Sequence, residues 1–111
     1  MTDEYQPKPF NCEIAEVGGT IHLRPSGDLD MGTAPVLGDA IQGAVDGGAR
    51  HVVVDLRGLE FMDSTGITLV ARFNNEAQRD GFDFALIPGK ARVMRLFELT
   101  GLAEYFTFTS G

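Results

Sequence analysis

Apolar residues fall in rough alternation over Asn11 to Val17 and again over Thr20 to Arg24, and the Gly18-Gly19 pair between them supplies the positive φ of a tight turn. The chain is therefore expected to open with a β-hairpin. Pro25-Ser26-Gly27-Asp28-Leu29-Asp30 breaks the strand pattern, after which Ala34, Leu37, Ile41, Ala44 and Val45 recur at helical spacing until Gly47-Gly48 stops the run. His51 to Leu56 is a nearly unbroken aliphatic run, as expected of a central strand covered on both faces and reached through a crossover helix. From Ser64 to about Arg79 the apolar positions Ile67, Val70, Phe73 and Ala77 align opposite Arg72, Asn75, Glu76 and Arg79. That spacing predicts a second amphipathic helix, ended by Gly81. Phe82 to Ile87 predicts another strand, Pro88-Gly89 a turn, Ala91 to Leu99 a third helix capped by Gly101, and Tyr105 to Thr109 a last edge strand. The predicted fold is α/β, a small mixed sheet with helices packed against it in the order β-β-α-β-α-β-α-β.

A length of 111 residues with 43% hydrophobic residues fits one domain with a core of its own. Met1 to Pro9 is polar and carries two prolines, so residues 1–9 are expected to form a loose leader and residues 10–111 the domain. The leader lacks the basic start and apolar stretch of a signal peptide, and no apolar run reaches the roughly 18 residues of a membrane span. A single cysteine, Cys12, excludes an intrachain disulfide. These features predict a cytoplasmic protein without membrane insertion. A net charge of -7, with no basic stripe, opposes binding to a phosphate backbone and excludes nucleic acid as the expected partner.

Asp63-Ser64-Thr65-Gly66 stands where the aliphatic strand region gives way to the second helix. Asp, Ser and Thr in that position are ordinary N-caps. The same position also puts a hydroxyl at a helix mouth, where unpaired N–H groups and the positive end of the dipole stabilise a phosphate. Ser64 is thus a candidate switch residue. Catalytic readings find less support. His22 and His51, the only histidines, fall in or at the start of strand patterns, and Ser64 lacks a Gly-x-Ser-x-Gly elbow and a nearby base. Asp28 with Asp30 reads as a solvated turn, no Cys/His cluster has metal-ligand spacing, and neither Gly-Gly pair forms a phosphate-cradling loop. No metal and no cofactor are expected, and the chain is not expected to be an enzyme.

Phe61-Met62-Asp63-Ser64-Thr65-Gly66 after the strand, with Gly27-Asp28-Leu29-Asp30 before the first helix and Arg95-Leu96-Phe97-Glu98-Leu99-Thr100-Gly101-Leu102 near the end, resembles the STAS family of anti-sigma factor antagonists and their relatives. The resemblance runs from about Phe10 onward. It implies phosphorylation of Ser64, with Thr65 the weaker candidate, by an anti-sigma factor serine kinase. Asp28, Asp30, Asp63, Ser64, Thr65, Gly66 and Ile67 are implied partner-binding positions. The implied mechanism is partner switching, as in stress-response or sporulation control. The unmodified protein binds the anti-sigma factor and frees the sigma factor, phosphorylation reverses this, and a phosphoserine phosphatase resets it. Where the family pattern continues Gly-Leu-Gly, this chain has Gly66-Ile67-Thr68, and Thr68 is expected to narrow the helix's approach to a neighbour or to alter which partner fits. Two other readings remain open. One is a free-standing STAS subunit regulating a transporter ATPase, and the other is a small enzyme with its site at Asp63 and Ser64.

Overall fold

The computed structural model describes residues 9–110. Strands β1 (Asn11–Val17) and β2 (Thr20–Leu29) form the opening hairpin, with Gly18 at φ 59 and Gly19 at φ 85 making its turn. Helix α1 (Ala34–Asp46) follows, then β3 (His51–Asp55), a 3₁₀ turn at Leu56–Gly58 and a short strand β4 (Leu59–Met62). Helix α2 (Ser64–Asp80), β5 (Asp83–Ile87), α3 (Ala91–Leu99) and a 3₁₀ turn at Ala103–Tyr105 complete the order. The predicted alternation of strands and helices is realised, with β4 as an addition. The sheet is mixed and runs β1-β2-β3-β5, with β4 paired to β2 off that path.

Strand β2 organises the sheet because it changes parallel partner midway. Ile21 to Leu23 pair with Val52 to Val54 of β3, and Gly27 to Leu29 pair with β4 across a register shift at Gly27/Asp28. The expected break at Pro25 is therefore corrected: β2 runs through it, paired to Cys12 on the β1 side. The Pro25 carbonyl faces Gly58, 2.9 Å from where a Cβ would stand there. In an extended residue the nitrogen faces the same edge, so the missing N–H falls in the gap between the two parallel ladders.

Two further expectations are adjusted. The last strand is a single bridge, Phe108 beside Leu86, in which the Leu86 N–H donates to the Thr107 carbonyl at 2.9 Å and the Thr109 N–H to the Leu86 carbonyl at 2.9 Å. Strand β3 is not covered equally on both faces. Val52 and Val54 are buried, but Val53 lies in a row with His22 and Ala85 that is only half-buried. The leader expected over 1–9 lies, apart from Pro9, outside the described residues.

The core sits between one face of the sheet and the helices. Helix α2 contributes Ile67, Val70, Phe73 and Ala77, and α3 contributes Val93 and Phe97. Phe73 and Phe97 are fully buried, each contributing about 1.5–3 kcal/mol of transfer free energy. Phe97 also meets Phe106 and Phe108 edge-on, at centroid distances of 5.4 and 5.7 Å, which ties the chain end to the core. Helix α3 is held to β4 by Glu60, which pairs with Lys90 at 2.5 Å and Arg92 at 2.8 Å.

Candidate functional site at the start of helix α2

The carboxyl ends of β2 and β4 lie side by side, with Leu29 opposite Met62, and both helices that follow them start there. The Asp63 N–H donates to the Leu29 carbonyl at 3.1 Å, so the end of β2 and the start of α2 are joined directly. Asp28, Asp30 and Asp63 are thereby brought to one edge of the sheet beside Ser64.

Asp63 caps α2. Its backbone is extended (φ -105°, ψ -173°) and its Oδ1 accepts from the Thr65 N–H at 2.8 Å. Ser64 follows as the first helical residue. Its side chain is exposed, and its hydroxyl makes no hydrogen bond among the described residues. Thr65 is half-buried, with its N–H taken by the cap. Of the two hydroxyls, Ser64 is the more accessible and sits at the positive end of a 17-residue helix.

Gly66 explains why glycine stands at the end of the Asp-Ser-Thr-Gly run. A Cβ there would lie 2.6 Å from Met62 Cγ and 2.9 Å from Leu29 Cδ2, so the first turn of α2 rests directly on the ends of β4 and β2. Ile67 is 4% exposed and belongs to the core. Its side chain points inward and anchors the first turn of α2, beneath the expected partner-binding edge. Thr68 stands beside the cleft between α1 and α2. It is exposed on α2, while the close approach to α1 occurs at Gly38, where a Cβ would lie 3.2 Å from Leu69 Cδ1.

Asp30 builds the turn into α1. Its Oδ1 accepts from the Gly32 N–H at 2.9 Å and the Thr33 N–H at 3.2 Å. The Thr33 hydroxyl donates to the Asp28 carbonyl at 2.7 Å. Asp30 thus shapes the rim of the site, whereas the half-buried Asp28 side chain makes no hydrogen bond or ion pair among the described residues.

Two apolar side chains that sequence reasoning passed over complete this edge. Met31, 78% exposed, follows the acidic turn, and Phe61, 49% exposed, pairs across from Asp28. For Met31 a signal was available, an apolar residue inside a polar turn, whereas the outward direction of Phe61 is set by the pairing of β4 with β2. Elsewhere, His51 Nδ1 pairs with Asp83 Oδ2 at 2.8 Å across β3 and β5, at the opposite end of the strands from Ser64. Among the described residues no group of three or more His, Cys, Asp or Glu is placed to hold a metal ion, and no helix is long and apolar enough to cross a membrane.

The family model of the STAS domain matches residues 11–110. This chain belongs to the STAS domain family. The anti-sigma-B factor antagonist of Staphylococcus aureus (strain NCTC 8325) is 28% identical over 102 residues, which cover 92% of this chain and 94% of that one. An anti-sigma factor antagonist from Mycobacterium paratuberculosis superposes with a TM-score of 0.85 at 26% identity, over 96% of this chain and 90% of that chain. The Bacillus cell fate determinant SpoIIAA in its phosphorylated form shares the fold, with a TM-score of 0.67 at 23% identity over 92% of each chain. The STAS fold here places an exposed serine between a carboxylate cap and a glycine seated on the sheet.

Proposed function

We propose that this STAS domain is an anti-sigma factor antagonist that works by partner switching in the bacterial cytoplasm, with Ser64 as the switch. The observation that carries the reading is the exposed Ser64 hydroxyl at the first position of α2, without a hydrogen bond among the described residues and held in place by the Asp63 cap and the Gly66 contact. Relatives named as anti-sigma factor antagonists, and a neighbour of the same fold described in a phosphorylated form, support it.

In this reading the unmodified edge formed by Asp28, Asp30, Asp63, Ser64 and Thr65 binds an anti-sigma factor that is also a serine kinase. The chain is substrate, not catalyst. The Ser64 oxygen attacks the γ-phosphorus of ATP held by the kinase, the bond to ADP breaks, and the hydroxyl proton passes to a base on the kinase. The product carries about -1.5 to -2 added charge beside Asp63. Helix α2 offsets part of that charge within the domain, but a partner packed against Ser64 would have to desolvate it. The phosphorylated domain therefore releases its partner, and a phosphoserine phosphatase restores binding.

Affinity of the purified variants for the anti-sigma factor tests this. Ser64→Ala is expected to bind within about threefold of wild type and to accept no phosphate, and Ser64→Asp to bind at least about tenfold more weakly. Equal affinities for the two variants would contradict a charge-gated contact at Ser64.

A further inference from the structure

We propose that the cleft between α1 and α2 is the specificity pocket for the anti-sigma factor, seating an apolar side chain from a partner segment that also carries a lysine or arginine about one turn away. The inference rests on the antagonist reading and adds to it what the partner must present.

The cleft has a volume of about 510 Å³, within the roughly 300–1,000 Å³ of pockets that take ligands or side chains. Its origin is local. Helices α1 and α2 close on each other at Gly38, beside Leu69 and Arg72, while the residues facing the opening, Ala34, Pro35, Thr65 and Thr68, are too small to fill it. Both helices leave adjacent strand ends joined by the Asp63–Leu29 hydrogen bond, so they run in the same direction and the cleft has two distinct ends.

At one end stand Met31 and Thr65, the latter directly following Ser64 in α2. This end is apolar and continuous with the switch. At the other end stand Asp39 and Arg72. The Arg72 guanidinium is already engaged, 4.7 Å over the Phe73 ring and 3.8 Å from Glu76, whereas the exposed Asp39 carboxylate makes no hydrogen bond or ion pair among the described residues. The charge left to be met is negative, which calls for a cation on the partner at that end.

The polarity of the cleft also accounts for the direction of the switch. An acidic edge facing a cationic partner would by charge alone gain from a phosphate. An apolar side chain seated between Met31 and Thr65 reverses that outcome, because a phosphate on Ser64 would be packed against hydrocarbon on the partner side while the start of α2 offsets only part of its charge.

The test is titration of the anti-sigma-B factors of Staphylococcus aureus and Bacillus subtilis, and of the anti-sigma factor kinases of the source genome, with wild-type domain, Thr68→Trp, Met31→Asp, Asp39→Lys and the distant control Glu104→Trp. Thr68→Trp fills the cleft from an exposed position of α2 and is expected to weaken binding at least about tenfold. Met31→Asp does the same by charging the apolar end at a surface side chain. Asp39→Lys is expected to weaken binding mainly at low salt, since it reverses an exposed charge. Equal dissociation constants for wild type, Thr68→Trp and Met31→Asp would overturn the cleft as the seat while leaving the antagonist reading intact. Absence of wild-type binding to every factor would overturn the antagonist reading itself and the cleft with it.

Discussion

Ser64 owes its position to its neighbours rather than to any bond of its own side chain. Asp63 fixes the helix start through Thr65, and Gly66 lets the first turn rest on Met62 and Leu29. A methyl group at Gly66 would overlap two buried side chains, so Gly66→Ala is expected to lower stability by about 1–3 kcal/mol, read as an earlier denaturant midpoint at constant slope. Lifting the turn would also move Ser64, so a loss of phosphorylation rate should accompany the loss of stability. Unchanged stability would mean that α2 does not rest on the strand ends as described. The motif was legible in sequence as a helix start with a hydroxyl. The inward direction of Ile67 was legible too, since it heads the apolar stripe Ile67, Val70, Phe73 and Ala77.

Among the elements, the three helices follow from spacing because each carries a strong 3.6-residue stripe over a run bounded by glycine or proline. Strand β4 does not. Leu59-Glu60-Phe61-Met62 is too short to show alternation, and what makes it a strand is pairing with Gly27 to Leu29, more than thirty residues earlier. The same long-range pairing carries β2 through Pro25. The link between β3 and β4 is shaped by Asp55, 5% exposed, which accepts from the Arg57 N–H at 3.0 Å and from its guanidinium at 2.7–3.2 Å. The Arg57 side chain beside it holds the Asp55 carboxyl below its ordinary value of 3.8 despite burial. A depressed folded-state pKa contributes stability that is present above the unfolded value and is lost as pH falls through the folded one. Acid unfolding of the wild type is therefore expected to steepen below about pH 4, with Asp55→Asn less stable at neutral pH and less sensitive in that window. An identical acid profile for the two proteins would remove Asp55 from this role.

At the scale of the whole molecule, the domain is acidic, with a net charge of -7, and the proposed phosphate on Ser64 would add to that charge at one exposed edge without touching the core. The helix dipole contributes about 0.3–1 kcal/mol in favour of an anion at this position, opposed by Asp63 and the remaining acidic surface. Phosphorylated and unmodified domain are accordingly expected to melt within about 4 °C of each other. A larger drop would indicate that the phosphate acts by unfolding the edge rather than by blocking a contact. The single-domain α/β plan was readable from the order of patterns. The cleft between α1 and α2 was not, because it depends on how two helices, far apart in sequence, approach at Gly38.

The most direct measurement is incubation of the purified domain with anti-sigma factor kinases and ATP, followed by mapping of added phosphate by mass spectrometry on wild type and Ser64→Ala. A single phosphate on Ser64, absent from the variant, is the predicted result. No modification by a kinase that remains active on its own substrate, or phosphate mapping elsewhere and persisting in Ser64→Ala, would contradict a switch at the start of α2.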